Sequence, residues 1–183
     1  MEKIEIIETG IRHGEKYTAR VRSCQHPVIK KRINKLSEID YNLYVHDDEW
    51  FNKSSPVFTL ILTVHDANIE YVRESLRSVF WQTYANTEVI LINNGANGVV
   101  GHTIWQEFIK NKNAKLIRVP KNLYNPKASN LDDPIPNLWN AGLFCSVGDF
   151  VYFMAYDDFL GRDYVERMVS LFTANERCNT AAP

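Results

Sequence analysis

From position 57 onward the chain alternates two hydrophobic patterns. The run Val57-Phe58-Thr59-Leu60-Ile61-Leu62-Thr63-Val64 is apolar on both faces and rich in β-branched residues. That is how a strand buried on both sides of a parallel sheet reads. His65-Asp66-Ala67-Asn68 follows as a turn that can supply a helix N-cap. Over 70–84 the period changes. Val72, Leu76, Val79 and Phe80 recur at helical spacing, with Arg73, Glu74 and Arg77 on the wet side, which predicts an amphipathic helix.

The alternation then repeats. Strands are predicted at 87–92, 114–119 and 149–154, with helices near 103–110, over 138–146 and from Asp163 onward. The last helix would open on a loose capping box, Asp163 at the N-cap and Glu166 at N3, and bury Val165, Met168, Val169 and Phe172. Asn93-Asn94-Gly95-Ala96-Asn97-Gly98 reads as a loop that permits positive φ and close backbone approach. The connection 121–136, rich in Asn, Asp and Pro, has the length of a functional or a disordered loop.

Four strands alternating with helices predict an α/β fold: a mostly parallel sheet with right-handed crossovers and helices on both faces. In such sheets ligands bind beyond the carboxyl ends of the strands, where the strand order reverses. His65-Asp66, Asn93-Asn94 and Asp157-Asp158 all fall at predicted strand ends. Residues 1–55 are less regular. Strands at 3–8 and 16–23 and a helix over 27–39 fit the pattern, and the polar stretch before Pro56 marks a boundary. The domain division expected is an N-terminal extension, 1–55, and a ligand-binding domain, 56–183.

Composition narrows the function. The chain has 183 residues, 45% of them apolar and 23% charged, with a formal net charge of −1. No global basic field is present to attract nucleic acid. Cys24, Cys145 and Cys178 are widely spaced and form no CxxC pair, as expected of free thiols in a reducing compartment. The N-terminus lacks the continuous apolar core of a signal peptide. The longest apolar run, 57–64, falls far short of the roughly 20 residues that a transmembrane helix needs.

The chemistry concentrates in Gly148-Asp149-Phe150-Val151-Tyr152-Phe153-Met154-Ala155-Tyr156-Asp157-Asp158, a strand that runs into two adjacent carboxylates. Two such groups repel unless a cation, a hydroxyl donor or water separates them. They either cap the loop before the next helix or, with a hard divalent cation such as Mg²⁺ or Mn²⁺, form an oxygen-ligand site.

These segments together resemble family 2 glycosyltransferases of the GT-A fold. The likeness is carried by Thr63-Val64-His65-Asp66, by Ser78-Val79-Phe80-Trp81-Gln82-Thr83-Tyr84, by Glu88 opening an apolar strand, by Asn140-Ala141-Gly142 and Gly148-Asp149, and by Ala155-Tyr156-Asp157-Asp158. It implies inverting transfer of a sugar from a nucleoside diphosphate sugar, UDP-linked by preference, to a hydroxyl of an unknown acceptor such as a glycan or a lipid-linked sugar. By the same resemblance Asp158 is a ligand of Mn²⁺ or Mg²⁺ and Asp157 contacts the ribose. Thr63, His65 and Asp66 line the nucleotide pocket, and Asn94 faces the base. The implied setting is cytoplasmic, or peripheral at a membrane.

Three positions depart from the family pattern. Asn93-Asn94 replaces the usual Asp-Asp, which leaves the base identity open because an amide both accepts and donates. Ala155 replaces an Asp, and Trp139 stands where an Arg often precedes the Asn. The family's catalytic base lies downstream of the metal motif, so the expectation is a donor-binding half, truncated before the acceptor half, with no base named. A non-catalytic nucleotide-sugar-binding module is the alternative. A nucleotidyltransferase ranks third, because no Gly-rich phosphate loop follows 57–64.

Overall fold

The computed structural model describes residues 5–12, 15–22, 41–46, 51–52, 54–124 and 135–174. The helix expected over 27–39 lies outside them, as does most of the 121–136 connection. In chain order the elements are β1 (Glu5–Arg12), β2 (Glu15–Arg22), β3 (Asn42–Val45), β4 (Phe58–Val64), α1 (Ile69–Phe80), β5 (Thr87–Asn94), α2 (Gly98–Lys110), β6 (Ala114–Val119), α3 (Ile135–Cys145), β7 (Phe150–Ala155) and α4 (Tyr164–Ala174).

The seven strands form one sheet in the order β1-β2-β3-β6-β5-β4-β7. β6, β5, β4 and β7 are parallel, as the alternating pattern predicts. The chain steps outward from β4 through β5 to β6, then crosses back so that β7 pairs with the free side of β4. The strand order therefore reverses between β4 and β7. The N-terminal stretch extends the same sheet: β3 runs antiparallel to β6, and the β1–β2 hairpin continues from β3.

β4 and β5 are buried at every position, and their alternating side chains serve two cores. Leu60, Leu62 and Leu91 pack with Val72 and Leu76 of α1, Ile104 and Phe108 of α2, and Val165 and Met168 of α4. Ile61, Ile90 and Ile92 pack on the opposite face with Leu138 and Ala141 of α3. Both faces are thus covered, which is why these strands show no polar alternation. Gly142 of α3 sits so close to Ile61 and Ile92 that any Cβ there would meet them.

One polar cluster interrupts the α3-side core. Glu88 is fully buried and pairs with Lys115 Nζ at 2.6 Å. It also accepts the Thr59 hydroxyl at 2.6 Å and the Val147 N–H at 2.9 Å, while Lys115 donates to the Cys145 carbonyl at 2.7 Å. A carboxylate in an otherwise apolar strand is tolerated because it is paired and hydrogen-bonded. The pair fastens the C-terminal end of α3 to the sheet.

Local chemistry moves several predicted boundaries. α1 stops at Phe80, short of Tyr84, because the Gln82 side chain takes over. Its Nε2 donates to the carbonyls of Ser78 and Gly161, and its Oε1 accepts the N–H of Val165 in the first turn of α4. Gln82 thus serves the N-terminus of α4. The predicted capping box does not form: Asp163 pairs with Arg167 at 2.6 Å, and Glu166 accepts the Thr83 hydroxyl. Tyr84 Oη donates to the Pro56 carbonyl at 2.6 Å, just before β4. α2 begins at Gly98, earlier than its apolar pattern suggests, on a residue at φ +51°. β5 runs on through Asn93 and Asn94, which belong to the strand and not to the loop.

Candidate active site

Five of the sequence-predicted site positions lie on the segments that leave β4 and β7 at their carboxyl ends. Thr63 of β4 lies beside Ala155 of β7 and Ile92 of β5 in the register. The chain leaves β4 into His65-Asp66 and leaves β7 into Tyr156-Asp157-Asp158.

His65 is half-buried. Its ring stacks parallel to Tyr124 at 6.0 Å between centroids and meets Tyr156 edge-on at 4.7 Å. His65 therefore bridges the segment after β6 to the segment after β7. Its Nδ1 lies 2.9 Å from the Asp66 carbonyl. A carbonyl only accepts, so Nδ1 carries the hydrogen.

Asp66 is exposed and accepts the backbone N–H of Asn97 at 3.0 Å. That bond ties the β4–α1 turn to the β5–α2 loop. Asn68, and not Asp66, caps α1: its side chain accepts the Glu70 N–H at 2.9 Å.

Asn94 ends β5 fully buried. Its Nδ2 donates to Asn122 Oδ1 and its Oδ1 accepts the Leu123 N–H, both at 2.9 Å. Both ends of the amide thus hold the segment after β6. Gly95, at φ +73°, completes the contact, because a Cβ there would collide with the backbone of Lys121 and Asn122. Asn93 turns the other way: its amide exchanges two bonds with the backbone of Ala96 and shapes the loop into α2.

Asp157 and Asp158 are exposed beyond β7. Asp158 Oδ2 accepts the Ala155 N–H at 2.9 Å, and the Asp158 N–H returns to the Ala155 carbonyl at 3.1 Å. The turn engages Oδ2 of this exposed side chain. Among the described residues no three His, Cys, Asp or Glu side chains form a ready metal cage. Mg²⁺ commonly binds through one or two carboxylates, completed by phosphate oxygens and water. Asp157 and Asp158 are exposed carboxylates, the oxygen donors that such a cation takes.

Residues 59–182 match the family described as glycosyl transferase family 2. The chain belongs to glycosyl transferase family 2. A Haemophilus influenzae protein named "Uncharacterized glycosyltransferase" is 29% identical over 120 residues, which are 66% of this chain and 44% of that one. Glycosyltransferase GlyA of Streptococcus pneumoniae is 32% identical over 111 residues, 60% of this chain and 14% of that one. The chain thus spans less than half the length of these curated relatives.

Among solved structures, S. aureus TarS in complex with UDP-GlcNAc aligns at a TM-score of 0.54 and 17% identity, over 69% of this chain and 37% of that one. The mannosyltransferase PcManGT from Pyrobaculum calidifontis, in complex with GDP-Man and Mn²⁺, aligns at 0.51 and 13%, over 79% and 39%. At these identities the likeness is one of fold, and the fold is that of the GT-A transferases.

Within the family frame, the Gln82-Thr83-Tyr84 segment has a structural job, joining α1, α4 and the entry to β4. Tyr124 and Asn122 were missed as site residues. They sit in an irregular connection without periodicity, and only the bonds from Asn94 and the His65 ring place them. Glu88 was noted as part of the family pattern, but its buried pairing was not foreseen. A charge inside an apolar run was the available signal.

Proposed function

We propose that this chain forms the donor-binding part of a glycosyltransferase that moves a sugar from a nucleoside diphosphate sugar to an acceptor hydroxyl with inversion. The observation that carries this reading is the convergence of Thr63, His65, Asp66 and Asp157-Asp158 at the single reversal of strand order, in a family 2 chain. Ligands of open α/β sheets bind at that crevice.

In this reading Asp158 holds Mn²⁺ or Mg²⁺ through its oxygen not engaged by Ala155, and Asp157 accepts a hydroxyl of the ribose. When bound, the cation would neutralise charge on the departing diphosphate. His65, backed by Tyr124 and Tyr156, offers a ring face and Nε2 to the nucleotide. Asp66 holds the Asn97 loop that borders the pocket. Asn94 acts on the base by holding Asn122 and Leu123 beside it. UDP is the nucleotide we favour, and the acceptor is a glycan or lipid-linked hydroxyl.

No helix among the described residues is long and apolar enough to cross a membrane. The widely spaced cysteines fit a reducing compartment, and a cytoplasmic or membrane-peripheral setting belongs to the same proposal. A second reading, nucleotide-sugar binding without turnover, is motivated by Asn93-Asn94 and Ala155 in place of carboxylates.

The test is thermal denaturation with UDP, GDP, CDP and dTDP, each with and without Mn²⁺. A nucleotide at about a hundred times its Kd adds about 2.7 kcal/mol of stability, so a metal-dependent rise in Tm with one of them is expected. No rise with any nucleotide at millimolar concentration overturns the proposal. Turnover in a longer chain then separates the catalytic reading from the binding one.

A further inference from the structure

Trp81, directly after α1, is 52% exposed, so core packing does not account for it. Its ring meets two cations instead. The guanidinium carbons of Arg77 and Arg162 lie 5.2 Å and 5.0 Å from its centroid, within cation–π distance. Arg77 belongs to α1 itself. Arg162 belongs to the segment that leaves β7 through Asp157-Asp158. The backbone of that segment is held at the same corner. The Thr83 N–H donates to the Arg162 carbonyl and Gln82 Nε2 donates to the Gly161 carbonyl, both at 2.9 Å. At its near end the segment is held by β7, where Ala155 pairs beside Thr63 and exchanges two bonds with Asp158. Between these anchors Tyr156 meets His65 edge-on, and Asp157, Asp158 and Phe159 are exposed.

An exposed carboxylate pair has little packing of its own to set its place. Its position follows from what holds the two ends of its segment. At the far end the Trp81–Arg162 stack joins two exposed side chains and buries no core surface, so its effect falls on the segment and not on the fold. We propose that Trp81 is a positioning residue: through Arg162 it holds the far end of the Asp157-Asp158 segment and thereby sets the affinity of these carboxylates for a divalent cation. This rests on the function proposed above, in which Asp158 takes Mn²⁺ or Mg²⁺. Groups that orient a metal ligand are typically worth about ten- to a hundredfold in metal affinity. Trp81 acts at one remove, through the backbone from Arg162, and the lower end of that range is expected.

Mn²⁺ uptake in the presence of UDP, followed by the electron paramagnetic resonance of the free ion, tests this together with amide exchange of the unliganded chain. Trp81→Leu removes the ring face, and Arg162→Gln removes the cation. Each is expected to weaken Mn²⁺ about tenfold and to speed exchange at the Asp158 amide, which is bonded to Ala155. The unliganded Tm should fall by no more than about 2–4 °C, the scale of one exposed cation–π contact. The double variant should be no worse than either single one, because both break the same contact. Trp81→Phe keeps an aromatic face, and Arg77→Gln leaves Arg162 on the ring; both are expected to stay within about threefold of wild type. Mn²⁺ affinities of Trp81→Leu and Arg162→Gln within about twofold of wild type, or unchanged exchange at Asp158, overturn the inference alone. So does an Arg77→Gln variant as weak as Arg162→Gln, since the stack within α1 would then be what matters. A wild-type chain that takes up no Mn²⁺ with UDP overturns the proposed function and this inference with it.

Discussion

Asp158 Oδ2 accepts the backbone N–H of Ala155 at 2.9 Å, so the carboxylate that ends the β7 motif is held by the strand it follows. An amide oxygen can accept the same bond. Asp158→Asn is therefore expected to leave the unliganded Tm within about 0.5 kcal/mol of wild type, the usual range for exposed sites. It should abolish the Mn²⁺-dependent part of the nucleotide shift, since a neutral amide is a poor partner for a hard cation. Thermal denaturation with UDP, in the presence and absence of Mn²⁺, reads both effects. A metal-dependent shift that survives the substitution would assign the cation to other residues.

Asn94 spends both ends of its amide on the segment after β6. Asn94→Ala leaves the Leu123 N–H and one acceptor of Asn122 without partners, and is expected to cost about 1–3 kcal/mol. Asn94→Asp should be worse than its small change suggests. Its second oxygen would face Asn122 Oδ1, which already accepts the Tyr124 N–H at 2.8 Å, and a carboxylate would be buried there. Urea denaturation of both variants gives the order. Asp equal in stability to Asn would show that Asn122 repacks freely.

The Glu88–Lys115 pair has one fully buried partner. Removing one charge from a buried pair leaves the other uncompensated and costs about 3–5 kcal/mol. Lys115→Met is therefore expected to lower the urea midpoint sharply, while Glu88→Gln, which keeps an acceptor for Thr59 and Val147, should cost less. A change below about 1 kcal/mol for Lys115→Met would mean that water reaches Glu88.

Gln82→Ala removes three bonds, one back to Ser78 of α1 and two that join the end of α1 to the Gly161 turn and the start of α4. The expected loss is about 2 kcal/mol, with hydrogen exchange rising first at the Val165 amide. Uniform exchange across α4 would argue that its packing, and not this cap, governs its opening.

Burial, with Tyr152 close by, pushes the Tyr164 hydroxyl up to about 12 from its ordinary 10.0. Between those values the unfolded chain has lost a proton that the folded chain keeps, so stability falls as pH rises from 10 toward 12. Burial, reinforced by Asp149, raises Tyr84 in the same direction. Tyr164→Phe should flatten part of this alkaline decline in urea midpoints measured between pH 9 and pH 11. An unchanged slope would mean that Tyr164 ionises normally.

Much of the fold was legible in the sequence, and the reasons are specific. Val57 to Val64 is apolar on both faces because two helical layers cover β4, and Ala114 to Val119 was bounded correctly by its apolar run and Pro120. The α1 stripe was legible because a 3.6-residue period exposes one face. The places where reading failed share a cause. The end of α1, the cap of α4 and the extra turn of α2 depend on Gln82, Asp163 and Gly98 meeting partners from other elements or adopting an uncommon φ. Local periodicity carries no such information.

The candidate site divides the same way. Residue order and type alone placed Thr63, His65, Asp66, Asn94, Asp157 and Asp158 at strand ends, because each follows or closes an apolar run. That was enough to expect a rim of polar groups on a parallel sheet. Which of them share a crevice depended on β7 pairing with β4 and not with β6, a long-range choice made by the crossover through α3. Tertiary structure also decided that Asn94 faces the segment after β6 and that Tyr124 stacks on His65. Hydrogen-bond satisfaction is a property of packed neighbours, and no window of sequence contains them.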